Sequence, residues 1–292
     1  MKKIAVHGRD FHADDVFAVA ILKLIYPKVK VIRTRDEDKL KEADARIDVG
    51  NVYNPNTNDF DHHQKGGAGK RENGIPYAAS GLIWKHFGKK LVSSDDIFDY
   101  IDRRIIQYID ANDNGLDTYT TKKLSPYTIA DFVDGLGPPR LNQSEELFNK
   151  YFKEAVSIIT KLLKREIEAA KELIKAREKI REKIKKSNGE YLLLEEDIPF
   201  RKIVTEESDI KYVIYPDPLE DYWCVLAIPV SLNTFENRKD LPKKWAGLIE
   251  KDLQRVTGVK DAKFCHNNLF FAIAKSKEGA IKLVELALNN KN

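Results

Sequence analysis

The stretch Lys3 to Tyr26, KIAVHGRDFHADDVFAVAILKLIY, decides the reading of this chain. Lys3 to Val6 is a short apolar run ending at His7, and Asp14 to Tyr26 is apolar all round with acidic residues at its start. The first pattern predicts a strand and the second a buried helix. Val29 to Ile32 and Ala45 to Val49 supply two more strand candidates, so the first 50 residues read β-α-β. Alternation of this kind favours a parallel sheet with right-handed crossovers, whose ligands sit beyond the carboxyl ends of the strands. His7, His12 and Asp14 follow the first strand and Asp48 lies in the third, so these four side chains converge at one sheet edge.

Outward from there, turn chemistry at Asn54-Pro55 leads into a glycine-rich basic stretch from Lys65 to Gly74. Helical patterns follow near 77–90, 94–112 and 127–135. Glu145 to Lys186 carries apolar residues at steps of three and four, with Ser144 as N-cap and Asn188-Gly189 as terminator. Beyond it, strands at Tyr191 to Leu194, Tyr212 to Tyr215, Trp223 to Val230 and Phe264 to Lys275 alternate with helices near 245–256 and 277–289. The expected fold class is α/β: an N-terminal mostly parallel sheet flanked by helices (1–142), a long connecting helix (143–188) and a smaller C-terminal α+β domain (189–292).

Composition narrows the function classes. The 292 residues carry 42% hydrophobic residues and a net charge of +4, which excludes a disordered or fibrous chain. No apolar run approaches a membrane span, and MKKIAVHG enters a strand without a signal peptide. Cys224 and Cys265 lack metal or redox spacing, consistent with a reducing, cytoplasmic setting. Lys161 to Lys186 holds 11 Lys+Arg and 5 Glu, a net of +6, so the remaining residues sum to −2. The positive balance therefore belongs to the long helix, which also offers a surface for a homodimer.

Four of the six histidines fall in the first 63 residues. They lie within four clusters: HGRDFHADD, IDVG with Asp48, FDHHQKG with Asp61, His62 and His63, and IDANDNG with Asp110 and Asp113. Imidazole and carboxylate together suit Mn, Fe, Zn or similar divalent ions. A lone His or Asp would more simply be a polar group finding a backbone partner or a helix cap. Conjunction of four clusters at the strand edges of one sheet favours a metal centre. No serine or cysteine arrangement competes as nucleophile.

These motifs resemble the DHH phosphoesterase superfamily, and more closely the melanocyte-proliferating-gene family, which is labelled metal-dependent protein hydrolase and includes eukaryotic 3′–5′ RNA exonucleases. The resemblance is carried by HGRDFHADD, VIRTRD, DVGNVYNP, FDHHQKG, SGLIWKHFG and IDANDNG, then NRKDLPKKWAGL and FCH with KSKEGA, in order along nearly the whole chain. It implies a DHH-type catalytic domain with two divalent ions, Mn2+ foremost and Mg2+, Fe2+ or Zn2+ as alternatives. His7, His12 and Asp48 look like the ligands of one ion. Asp14, Asp48, His62 and a late Asp, Asp113 or else Asp110, look like those of the other, with Asp48 bridging. His63 would then face the substrate. This sequence departs from the superfamily at His12, where Asp is usual, and lacks the glycine-rich C-terminal substrate loop after His266.

Basic residues that could reach a phosphate backbone are Arg33, Arg35, Lys65, Lys70, Arg71 and Arg238, with His266 as a further substrate contact. The implied activity is 3′–5′ exonucleolytic hydrolysis of RNA or short oligonucleotides to nucleoside 5′-phosphates. Alternatives are a small-molecule phosphatase, pyrophosphatase or cyclic-dinucleotide phosphodiesterase, or a non-catalytic metal-binding interaction protein.

Overall fold

A computed structural model describes residues 1–120, 123–139, 141 and 143–290. The chain divides into two compact units, Met1–Lys171 and Glu172–Asn292. In the first, β1 (Lys3–Val6), α1 (Ala13–Ile25), β2 (Lys30–Arg33), α2 (Glu37–Lys41), β3 (Ala45–Ile47), β4 (Tyr53–Asn54) and β5 (Asp59–Phe60) precede a run of helices. These are α3 (Ala79–Phe87), α4 (Asp95–Ile101), α5 (Gln107–Asp113), α6 (Ile129–Asp134) and the long α7 (Glu145–Lys186). Their sheet runs β2-β1-β3-β5-β4, with β1 parallel to β2 and β3, β3 parallel to β5, and β4 antiparallel to β5. The expected mostly parallel sheet is therefore present.

The core of this unit forms because α1 is apolar on every face. Val16 to Leu22 are all fully buried, as are Ile4, Ala5 and Val6 of β1. Between α4 and α5, Asp102–Ile106 forms a π-helical turn, so the single helix expected over 94–112 has one wider turn inside it. Helix α7 begins where Ser144 Oγ accepts the backbone N–H of Leu147 at 3.2 Å, and it runs through the boundary between the units.

The second unit contains β6 (Tyr191–Leu193), α8 (Arg201–Glu207), β7 (Tyr212–Pro216), β8 (Trp223–Ala227), α9 (Glu250–Thr257), β9 (Ala262–Cys265), β10 (Phe271–Ala274) and α10 (Lys277–Asn289). The sheet order is β6-β7-β8-β10-β9, antiparallel except for β6 with β7. The single strand expected over Phe264 to Lys275 is instead a hairpin. His266 to Leu269 makes the turn, with Leu269 at φ 60 and its amide donating to His266 O. Helix α8 carries no polar-apolar period long enough to reveal it in sequence. No helix among the described residues is long and apolar enough to cross a membrane.

Candidate metal centre

The parallel strands deliver the site at their carboxyl ends. His7 directly follows β1, Asp48 directly follows β3 and His62 lies two residues beyond β5. Asp48 takes φ 52, a left-handed backbone that Asp adopts more readily than β-branched residues. That conformation ends β3 two residues short of the expected run and leaves the Asp48 amide bonded to Phe60 O at 3.0 Å. Its carboxylate then points among three imidazoles. Oδ2 lies 3.4 Å from His7 Nε2, and Oδ1 lies 3.5 Å from His62 Nε2 and 3.3 Å from His63 Nδ1.

Helix α1 contributes the next layer. His12 is its N-cap residue, and the Asp15 carboxylate accepts the His12 amide at 2.9 Å. The other Asp15 oxygen lies 3.3 Å from His7 Nε2. Asp14 caps a different helix: its oxygens accept the amides of Ala79 and Ser80, at 2.9 and 2.6 Å, where α3 begins without a capping side chain of its own. A fully buried carboxylate at a helix N-terminus gains both hydrogen bonds and the favourable end of the dipole. It also remains a ligand, because one oxygen of Asp14, a nitrogen of His62 and an oxygen of Asp113 lie within 4.8 Å of one another. Asp48, His62 and His63 form a second such group.

Asp110 and Asp113 separate cleanly. Asp110 is completely buried and is consumed by Arg71 at 2.7 Å, Ser80 Oγ at 2.7 Å and the Gly81 amide at 2.9 Å. Asp113 lies 3.0 Å from His62 Nε2. The late carboxylate that faces the cluster is thus Asp113, and Asp110 braces α3 against α5.

The electrostatics are those of carboxylates and imidazoles buried against one another. Burial opposes a proton on His7, yet Asp15 and Asp48 outweigh it and lift its pKa to about 10. Burial likewise opposes charge on His62, while Asp113 and Asp48 raise it to about 11. Burial favours protonated Asp48, but His62 and His7 hold it well below the ordinary carboxylate range. Asp14 is pushed well up by burial and by Asp113, Asp48 and Asp110. Asp48 Oδ1, Asp15 Oδ2 and His62 Nε2 are buried without a hydrogen bond. Carboxylate oxygens and an imidazole nitrogen packed together in this way are costly unless a cation, a proton or a metal ion, sits between them, so the donor set fits a divalent metal.

His7, His12, Asp14, Asp48, His63 and Asp113 line one cavity of about 360 Å³, together with Arg35, Asn112 and Asp134. His12 stands at its wall, its ring 5.8 Å from that of His7. Not every basic residue expected at the substrate is free to serve there. Arg33 donates to the backbone oxygens of Arg9 and Asp10, and its guanidinium lies 4.6 Å from the Phe152 ring centre. In the second unit, Arg238 donates to Ile210 O and Thr205 O, His266 Nδ1 accepts the Asn268 amide, and Trp245 is a core residue. Arg33 and Arg238 therefore each tie separate backbone segments together. Lys65 is exposed on the loop after His63, and Arg35 alone of the expected cations lines the metal cavity.

Sequence reasoning assigned no individual role to Asp61, Asp15, Asn112 or Asp134, and it read Arg71 as a cation that could reach phosphate, whereas Arg71 is paired with Asp102 and Asp110. Asp61 is buried and organises the Asp-His-His turn: Oδ1 takes the amides of His62 and His63 and Nδ1 of His63, and Oδ2 takes the Asn51 amide. Its place in the tripeptide was the available signal. Arg71 lies 39 residues from Asp110, and nothing local announces that pair.

Residues 3–288 match a family model named MYG1_exonuc, described as Uncharacterised protein family (UPF0160). Among curated relatives, the MYG1 protein of Dictyostelium discoideum is 29% identical over 98% of this chain and 96% of its own. The MYG1 exonuclease of Mus musculus is 28% identical over 98% of this chain and 84% of its own, and that of Homo sapiens 26% over 98% and 85%. The family match runs through both units and takes in every cluster that builds the centre, so the chain belongs to the MYG1_exonuc family.

Proposed function

We propose that the protein is a metal-dependent phosphodiesterase, a 3′–5′ exonuclease that acts on RNA or short oligonucleotides and releases nucleoside 5′-phosphates. The observation that carries this is the convergence of buried Asp48, Asp15 and His62 atoms that no hydrogen bond satisfies, beside an open cavity. The name exonuclease borne by the mouse and human relatives supports a nucleic-acid substrate over a small phosphoester.

Two divalent ions, by expectation Mn2+, would be held by His7, His12 and Asp48 on one side and by Asp14, Asp48, His62 and Asp113 on the other. When bound, such ions lower the pKa of coordinated water towards neutrality and neutralise phosphoryl oxygens. The protein's own contribution is positional. Asp48 is fixed by its amide bond to Phe60 O, and Asp14 by the amides of α3. Asp61 accepts Nδ1–H of His63, which leaves Nε2 of that half-exposed ring to hold a phosphate oxygen or give a proton to the departing one. Arg35, exposed at the cavity wall, offers a planar fork for a second phosphate.

The test is to incubate the Mn2+-loaded protein with a 5′-labelled oligoribonucleotide and resolve the products over time. Stepwise shortening from the 3′ end with release of nucleoside 5′-phosphates supports the proposal. A metal-loaded protein that leaves RNA intact but hydrolyses a small phosphoester would replace it with the phosphatase reading.

A further inference from the structure

Strand β2 is an edge strand of the first sheet, and along it runs a groove of about 1030 Å³ lined by β2, α1 and α7. Six cations line it (Lys23, Lys30, Arg33, Lys39, Lys153 and Lys161), and no Asp or Glu is among its lining residues. Lys23 is tied to Val29 O and Arg33 to the two carbonyls described above. Lys30, Lys39, Lys153 and Lys161 are exposed, and no carboxylate among the described residues pairs with them. Four such lysines in a single groove with no acid among its lining residues are a concentrated positive field.

The groove is linked to the metal cavity through shared lining residues, with Glu145 the one acid along the way. A smaller groove of about 550 Å³ shares Arg33 and Thr34 with it, contains the exposed Arg9, and shares Arg35 with the metal cavity. Cations thus lead from the centre, through Arg35 and Arg9, to Lys30, Lys153 and Lys161. Asn149 to Lys161 of α7 spans about 18 Å at 1.5 Å per residue, room for several consecutive phosphates. Val31, Ile32 and Val156 on its wall are apolar, which suits bases of any identity rather than a read sequence.

We propose that this groove is a track for the backbone of single-stranded nucleic acid, holding the part of the strand that extends away from the scissile bond. It deepens the exonuclease reading and rests on it for the direction of the strand. It does not rest on the second unit. The open edge of β2 would also suit an acidic peptide added as a strand, but linkage to the metal cavity favours the polymer that the centre would cut.

The test separates binding from cleavage. Fluorescence anisotropy with a labelled single-stranded 12-nucleotide RNA in EDTA compares the full-length protein with the Lys30→Gln, Lys153→Gln, Lys161→Gln triple variant, checked for native folding by circular dichroism. The track predicts at least tenfold weaker binding near 0.1 M salt. It also predicts a slope of log affinity against log salt shallower by about 2, since each phosphate contact on a single strand contributes about 0.7. Equal affinity and slope in the two proteins would overturn the track, as would displacement of an acidic peptide, but not RNA, by the triple substitution. RNA bound through these lysines, with no mononucleotide released by the metal-loaded wild type, would support the track while sinking the exonuclease reading.

Discussion

Nδ1 of His63 lies 2.7 Å from Oδ1 of Asp61, while the other Asp61 oxygen takes the Asn51 amide at 2.7 Å. Asp61 is therefore a positioning residue that acts through His63 and holds the turn containing His62. Asp61→Asn places an amide NH2 against either the His63 N–H or the Asn51 N–H. We expect a loss of about 1–3 kcal/mol in stability, the usual cost of a buried donor left unsatisfied. A pH–rate profile shifted from that of the wild type would show that His63 has lost its partner. A variant with lowered stability and an unchanged profile would reduce Asp61 to a purely structural role.

Asp48→Asn probes the hinge of the ligand set. Asn tolerates the left-handed φ 52 as well as Asp does, so the fold should survive. The carboxylate shared by His7 and His62 is lost. Turnover of RNA should fall by about a thousandfold or more, and metal affinity by about a hundredfold, read by steady-state rates and by calorimetric titration.

Protons and metal compete for the same nitrogens. With His7 raised to about 10 and His62 to about 11, both are protonated in the metal-free protein at neutral pH. Ligation needs neutral imidazole, so metal binding must release protons and tighten as pH rises. The same shifts make these histidines stabilise the metal-free fold fully below pH 6.5, a contribution lost as pH climbs through 10 to 11. Calorimetry in buffers of different ionisation enthalpy should show proton release at pH 7.5, and melting in EDTA should show a Tm that falls from about pH 6.5 upward through about pH 10.

The Arg71–Asp110 pair is the structural counterpart of the centre. Arg71 reaches Asp110 and also spans Asp102 with two nitrogens. Burial lifts Asp110 to about 6 although Arg71, Ser80 and Gly81 oppose it. Arg71→Met should cost about 3–5 kcal/mol at pH 7.5, and less at pH 5, where Asp110 takes a proton. Gly81→Ala would set a Cβ 1.8 Å from Asp110 Oδ2, at a carboxylate held on three sides, and should cost about 3 kcal/mol. Denaturant melts at the two pH values check both.

The readable parts of this protein are those with a long or strong local pattern. Helix α7 shows its period over 42 residues, and its bounds match the apolar steps from Glu145 to Lys186. Strands β4 and β5 have two residues each, too few to carry a period, and they went unseen between the turn residues. Leu269 hides the hairpin after Cys265, because a left-handed leucine has no sequence mark. The clustering of His7, Asp14, Asp48, His62 and Asp113 was legible because each follows or adjoins an element of one layer. The surroundings of Arg33 were illegible for the opposite reason: its charge is visible in sequence, but the carbonyls of Arg9 and Asp10 that it bonds are not.

The central claim is that these histidines and aspartates form a metal centre. Anomalous diffraction from crystals soaked in Mn2+ tests it most directly. The account predicts two peaks in the cavity beside Asp48, one towards His7 and His12 and one towards His62, Asp14 and Asp113. Peaks only elsewhere on the protein, or none while Mn2+ is present in excess, would contradict it.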